Sequence, residues 1–126
     1  MIATIRRTYT FEAAHFLPFV CEGHKCGRMH GHSYRVTAHV RGSVGDDGMV
    51  CDFAVIDDVF RPLVARLDHS TLNDTIANPT SELLAAWLIA QARDALPMLH
   101  GIEVSETERS SAWIAVDDLC PEHAHA

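Results

Sequence analysis

The segment Cys26–Tyr34 constrains this chain more than any other, because it places a thiol four residues before a His-Gly-His run. Alternate residues of a β-strand point to the same side, so a strand through His30 and His32 would direct both imidazoles toward one point. Gly31 between them has no side chain and lets the backbone bend closely. The spacing therefore predicts two ligands of a metal ion with a cysteine beside them.

A catalytic zinc site has three protein ligands and an open fourth position, whereas a structural site is closed by four. His15 is the best third candidate because it ends a strand-like run, and His24, in a turn-like stretch beside a lysine, is the competitor. The predicted zinc ligands are His15, His30 and His32. Cys26 is predicted to be a base near the ion rather than a ligand.

The cysteines also allow a closed zinc site, made of Cys21, Cys26, His30 and His32. Zinc fingers usually separate their histidines by about three to five residues, and one residue separates this pair. The open, catalytic arrangement is therefore favoured over the closed one.

Composition limits the partners and the compartment. The net charge of −7 argues against binding a nucleic-acid backbone, although six of the ten basic residues lie in residues 1–41 and could serve a phosphorylated small molecule. No segment approaches the about 20 apolar residues of a membrane span, and the first residues lack a signal-peptide pattern. We expect a cytoplasmic protein with reduced cysteines, folded as one domain over residues 1–119 with a disordered tail at 120–126.

Hydrophobic periodicity predicts the order of the secondary structure. Residues 2–13 and 32–41 alternate as strands and most simply pair antiparallel. Two helices follow, one from a cap at Asp52 to Leu67 and one from residues 78–82 to near Pro97. Two strands, from Ile102 to Thr107 and from Trp113 to Val116, close the chain. The order ββααββ predicts an α+β fold, with a four-stranded antiparallel sheet and two helices on one face.

Beyond these patterns, seven short segments between residues 11 and 107 resemble those of a known protein family. They are Phe11–His15, Glu22–Arg28, His30–Tyr34, Leu67–His69, Leu72–Asn73, Asn78–Glu82 and Glu106–Thr107. Together, and in this order, they resemble the 6-pyruvoyltetrahydropterin synthase family, most of all its bacterial 6-carboxytetrahydropterin branch. The resemblance implies the tunnelling fold (T-fold), an oligomeric barrel in which two trimers stack as a homohexamer with active sites between subunits.

The resemblance also implies roles for individual residues. The metal ligands named above match zinc ligands, and Cys26 matches a thiol base. Asp68 and His69 match its catalytic partner pair. Glu106 matches an anchor for the pterin ring. The segment implied to contact the pterin from a neighbouring subunit comprises Thr80, Ser81 and Glu82.

The implied reaction is a zinc-dependent lyase step on 7,8-dihydroneopterin triphosphate. It yields 6-carboxy-5,6,7,8-tetrahydropterin, acetaldehyde and triphosphate, and it feeds the synthesis of 7-deazaguanines such as queuosine. A thiol near a bound cation can remove a carbon-bound proton, and an imidazole oriented by a carboxylate can move a second one. A glutamate can accept two hydrogen bonds from the pterin.

Two other functions remain open at this point. The first is a triphosphate lyase that forms 6-pyruvoyltetrahydropterin, although the short Cys-x3-His-Gly-His spacing favours the carboxy product. The second is a non-catalytic zinc-binding module, in which Cys26 would be the fourth ligand.

Overall fold

The computed structural model describes residues 1–123, and its centre is a long antiparallel pair of strands. Strand β1 spans Ile2–His15 and strand β2 spans His30–Ser43. Both run further than the alternation predicted, and His15 pairs directly with His30 at the end of the ladder. The extension matters because it places all three predicted ligands on paired strands.

The remaining strands widen the sheet on both sides. Strand β3 (Ser70–Thr71) lies beside β1, while β4 (Leu99–Thr107) lies beside β2 and pairs with β5 (Ser110–Ala115). The predicted α+β fold is confirmed, but the sheet has five strands and not four, because β3 pairs parallel with β1. A two-residue strand has no periodicity that a sequence could reveal. It forms where the backbone N–H of His69 donates to the carbonyl of Glu12.

Two helices cover one face of the sheet. Helix α1 spans Phe53–Leu67, and the carboxylate of Asp52 accepts a hydrogen bond from its first turn, as predicted. Helix α2 spans Ser81–Ala92, so it ends before the predicted boundary near Pro97. The chain continues from Ala92 as a turn, in which the N–H of Leu96 donates to the carbonyl of Ala92.

The core lies between these helices and the sheet. Its fully buried side chains come from both helices and the central strands, among them Tyr34, Val36, Ile56, Phe60, Leu84, Leu88, Ile102 and Val104. The other face of β1 and β2 carries exposed polar residues such as Arg6, Thr8 and Arg35. Neither helix in residues 1–123 has the length and apolar character needed to cross a membrane.

One polar network fastens α1 to β1. The guanidinium of Arg7 donates to both carboxylate oxygens of Asp57 at 3.0 Å, and the hydroxyl of Tyr9 donates to Oδ1 at 2.6 Å. Hydrogen bonds from Arg7, then from Tyr9, lower the pKa of Asp57 to about 2. Burial and the Asp57 carboxylate raise the pKa of the Tyr9 hydroxyl, which therefore stays protonated and donates.

We expect Asp57→Asn to lower the urea midpoint at pH 7. The folded-state pKa of Asp57 lies below the unfolded value of about 3.9, so its stabilising contribution is complete above that value and is lost as the pH falls toward 2. The difference in urea midpoint between wild type and Asp57→Asn should therefore become smaller as the pH is lowered from about 3.9 toward 2. The exposed neighbour Asp58 provides the control, and Asp58→Asn should show no such narrowing.

Candidate metal centre and active site

Three imidazoles meet at the end of the sheet, on its helix-covered side. Their candidate ligand atoms all lie within 4.8 Å of one another, and they belong to His15, His30 and His32. His15 is 1% exposed, and the other two are half-buried. His30 and His32 point to the same side of β2 because they are two residues apart. His15 lies beside them because it pairs with His30 across the β1–β2 ladder. Among residues 1–123, no other group of histidine, cysteine or carboxylate side chains converges in this way.

Hydrogen bonds fix which nitrogen of two rings faces the centre. Nδ1 of His15 lies 2.7 Å from the carbonyl of Pro79, and Nδ1 of His30 lies 2.7 Å from the carbonyl of Arg28. Because a carbonyl only accepts, a neutral ring carries its proton on Nδ1 and a lone pair on Nε2. The two Nε2 atoms are nevertheless 3.0 Å apart. Two facing lone pairs repel unless a cation lies between them.

His32 completes this donor set. Its buried Nε2 has no hydrogen-bond partner and lies 3.7 Å from Oε2 of Glu106. Burial lowers the pKa of His32, the carboxylate of Glu106 opposes that shift, and the two other histidines lower it further. His32 is therefore neutral at pH 7, the form that binds a metal. Three converging imidazoles, two of them oriented by carbonyls, fit a zinc ion with one position left open.

Cys26 lies on a short 3-10 turn, Lys25–Gly27, in the loop between β1 and β2. Its N–H donates to Nδ1 of His24 at 3.1 Å, and its carbonyl accepts from the N–H of Leu17 at 2.8 Å. The competing ligand His24 is therefore engaged in holding this turn. The thiol is outside the converging group and lines a cavity of about 410 Å³ beside it. The cavity is lined by Lys25, Cys26, His30, His32, Glu106 and Thr107.

Asp68 and His69 form a hydrogen-bonded pair at the other side of β1. Oδ2 of Asp68 lies 3.0 Å from Nδ1 of His69, and its Oδ1 accepts from the N–H of Glu12 at 2.9 Å. The Glu12 N–H, then His69, lowers the pKa of Asp68. His69 has φ +55°, a conformation uncommon outside glycine, which the hydrogen bonds of this corner maintain.

This pair does not share the cavity of Cys26. His69 borders a separate groove of about 550 Å³, together with Glu12, Gly31 and Ser33. His32 borders both spaces and is the one residue common to their linings. One chain thus brings the metal ligands, the thiol and Glu106 together, whereas the Asp68–His69 pair borders the separate groove through His69.

The segment Thr80–Glu82 begins α2 and contributes indirectly to the metal centre. The hydroxyl of Thr80 accepts a hydrogen bond from the N–H of Leu83 at 3.1 Å and caps the helix. The carbonyl just before it, on Pro79, orients His15. Thr80, Ser81 and Glu82 line neither of the two spaces described above.

Sequence reasoning missed two supports of His15. One is the Pro79 carbonyl, which no side-chain pattern could indicate. The other is the hydroxyl of Tyr34, 3.1 Å from Nδ1 of His15. Burial, and then Glu106, raises the pKa of this hydroxyl. Tyr34 follows His32 by two residues, so strand alternation could have placed it on the same face.

The sequence comparison decides the family. The family model described as 6-pyruvoyl tetrahydropterin synthase matches residues 4–116. The chain belongs to this family. The resemblance inferred from the short segments is therefore confirmed.

Proteins with several different names are similar to this chain. The 6-carboxy-5,6,7,8-tetrahydropterin synthase of Synechocystis sp. is 44% identical over 126 residues, covering 93% of this chain and 96% of the relative. The dihydroneopterin monophosphate aldolase of Pyrococcus furiosus is 33% identical over 97 residues, covering 77% of this chain and 81% of the relative. The 6-pyruvoyl tetrahydropterin synthase structure from Caenorhabditis elegans superposes with a TM-score of 0.83 at 24% identity, covering 91% and 96%, and supports the fold.

Proposed function

We propose that this protein is a zinc-dependent carbon–carbon lyase that converts 7,8-dihydroneopterin triphosphate and water to 6-carboxy-5,6,7,8-tetrahydropterin, with release of acetaldehyde and triphosphate. The observation that carries the proposal is one cavity lined by a thiol, a carboxylate and two of three converging imidazoles. The similarity to the Synechocystis enzyme supports the carboxy product. The product would serve 7-deazaguanine and queuosine synthesis.

His15, His30 and His32 would hold the zinc ion through the nitrogens that face one another. When bound, zinc supplies Lewis acidity that makes the hydroxyls of the substrate side chain more acidic. The carbonyls behind two of the rings keep the donor atoms in place before the ion binds. The protein's part is thus a preformed donor set with space beside it for substrate.

Cys26 and Glu106 would act on the substrate within the same cavity. Glu106 accepts hydrogen bonds from the amino group and ring N–H of the pterin, which fixes the ring. Cys26 removes a carbon-bound proton of the side chain as a general base. The 3-10 turn contributes by holding the Cys26 backbone at both its N–H and its carbonyl.

Asp68 and His69 would move the second proton of the reaction in a site completed by a neighbouring subunit. Because their groove is separate from the Cys26 cavity, a complete site needs either a conformational change or a second copy of the chain. We infer a homohexamer built as a dimer of trimers, with Thr80, Ser81 and Glu82 reaching a neighbour's pterin. The edge strands β3 and β5 provide unpaired backbone groups for such contacts.

The proposed catalytic domain is residues 1–119, and we infer that it acts in the cytoplasm. The free state of the four cysteines agrees with a reducing compartment. The tail predicted to be disordered begins at Cys120, but residues 124–126 lie outside the described residues. That part of the prediction stays a prediction.

A second candidate is triphosphate elimination that forms 6-pyruvoyltetrahydropterin, the product named in the description of the family that matches residues 4–116. A third is a non-catalytic zinc module. The placement of Cys26 outside the converging group, beside a cavity, argues against the third.

Product analysis separates these functions. The zinc-loaded protein is incubated with 7,8-dihydroneopterin triphosphate, and the products are identified by mass spectrometry. We expect a carboxypterin together with acetaldehyde. A pyruvoyl product would favour the second function, and no turnover by protein with one zinc per chain would exclude both reactions. Chelated protein is the matched control and should be inactive until zinc is restored.

A further inference from the structure

We propose that Lys25 binds the phosphate chain of the substrate and makes the enzyme selective for phosphorylated over unphosphorylated pterins. The inference rests on the proposed function and adds a specificity residue to it. Lys25 is the only lysine among the ten basic residues of the chain. It lies next to Cys26 in the 3-10 turn and lines the same cavity.

Charge inside the cavity supports this role. The other side chains in its lining are a thiol, two imidazoles that face the metal position, a threonine and the carboxylate of Glu106. Lys25 is thus the only permanent cation in that lining. The chain as a whole carries a net charge of −7, so a polyanionic substrate gains little from the general field of the protein. Apart from the proposed zinc ion, the ammonium group of Lys25 is the cation that the cavity offers to phosphate.

The order of residues matches the order of groups in the substrate. The phosphate chain is attached to the terminal carbon of the same three-carbon side chain that reacts, so a cation that holds the phosphates has to lie near the base. Lys25 precedes Cys26, and its carbonyl accepts from the N–H of Arg28 at 3.2 Å. The turn therefore fixes the backbone of the cation and of the thiol together. Arg28 is absent from the residues that line the cavity.

A lysine suits a ligand whose phosphates must also be released. Its ammonium is a compact charge with three donors on a flexible stem, and it does not require the planar, bidentate fit of arginine. Lys25 is exposed at the cavity wall, so the side chain can follow the phosphate chain. One relative, from Pyrococcus furiosus, is itself named for a phosphorylated pterin, dihydroneopterin monophosphate.

The test compares Lys25→Gln and Lys25→Arg with wild type. With 7,8-dihydroneopterin triphosphate, we expect Lys25→Gln to raise KM about 10- to 100-fold, as for the loss of a charge-assisted hydrogen bond. Lys25→Arg should stay within about fivefold, because it keeps the charge. Binding of unphosphorylated neopterin, measured by fluorescence, should change less than about twofold in both variants, since it makes no phosphate contact.

Arg93→Gln is the control for the loss of one positive charge. Arg93 does not line the cavity of Cys26. It follows the C-terminal end of α2, about 18 Å along the helix axis from Ser81, the first residue of that helix. Its KM should equal that of wild type. An unchanged KM in Lys25→Gln, or an equal loss of neopterin binding in that variant, would overturn the inference.

A chemical readout uses the single lysine without relying on turnover. Pyridoxal 5′-phosphate forms an imine with an amino group, and borohydride reduces the imine to a stable label. Peptide mapping distinguishes Lys25 from the N-terminal amine. We expect inorganic triphosphate to protect Lys25 in the zinc-loaded wild type, whereas neopterin should protect it much less.

The two proposals can fail separately. If wild type does not consume the pterin triphosphate, the proposed function is wrong, and protection by inorganic triphosphate still decides whether Lys25 forms an anion site. If wild type is active but triphosphate gives no protection, the Lys25 inference alone is wrong.

Discussion

His30→Ala is expected to weaken zinc binding by more than about 100-fold and to abolish turnover. Loss of a residue that merely supports a ligand typically costs 10- to 100-fold in affinity, so loss of the ligand itself should cost more. The variant also removes one of the two lone pairs that face each other at 3.0 Å, so the fold should tolerate it. Competition with a chromophoric chelator measures the affinity, and circular dichroism checks the fold.

His100→Ala is the matched control. His100 is an exposed histidine near the start of β4, outside the converging group. It should retain one zinc per chain and the activity of wild type. Stoichiometric zinc of undiminished affinity in His30→Ala would contradict the three-histidine site.

Cys26→Ala is expected to retain zinc but to reduce kcat by about 10²- to 10⁴-fold, the contribution typical of a positioned general base. The thiol lies outside the three-histidine group, so its removal should leave the metal content unchanged. Zinc is measured by atomic absorption and turnover by the product assay. The two readouts together separate a base from a ligand.

Cys21→Ala provides the control on the same loop. Cys21 is exposed and does not line the cavity of Cys26, so its loss should affect neither readout. Zinc lost in proportion to activity in Cys26→Ala would make the sulfur a ligand. Full activity in that variant would remove it from the mechanism altogether.

Periodicity in the sequence predicted most of the fold, because strands and helices here bury one continuous face. Alternation around Val36 and the helical spacing around Phe60 marked residues that are in fact fully buried. The strand Ser70–Thr71 could not be predicted, because it depends on a backbone hydrogen bond between residues 57 positions apart. The early end of α2 could not be located from its apolar pattern alone.

The candidate site also contains parts that local sequence predicts and parts that depend on tertiary packing. The two-residue spacing of His30 and His32 fixes their common direction locally, so the sequence sufficed for that pair. The contribution of Pro79 depends on tertiary packing, which brings its carbonyl to His15 from 64 residues away. Sequence reasoning considered Lys25 as an unsuitable neighbour for a metal ion and as one of six basic residues that could serve a phosphorylated small molecule. The structure separates Lys25 from the other five, because it alone among them lines the cavity of Cys26.

The last pair of residues in the β1–β2 ladder is His15 and His30, and this has a mechanical consequence. Beyond this pair the chain leaves the sheet at once for the loop in which Leu17 holds the carbonyl of Cys26. Withdrawal of the ion would leave two repelling nitrogens at the tip of the ladder, so the strands would begin to separate there. The ion would then stabilise the end of the strand pair in addition to activating the substrate, because separation of the strands there would also release the loop that carries Cys26.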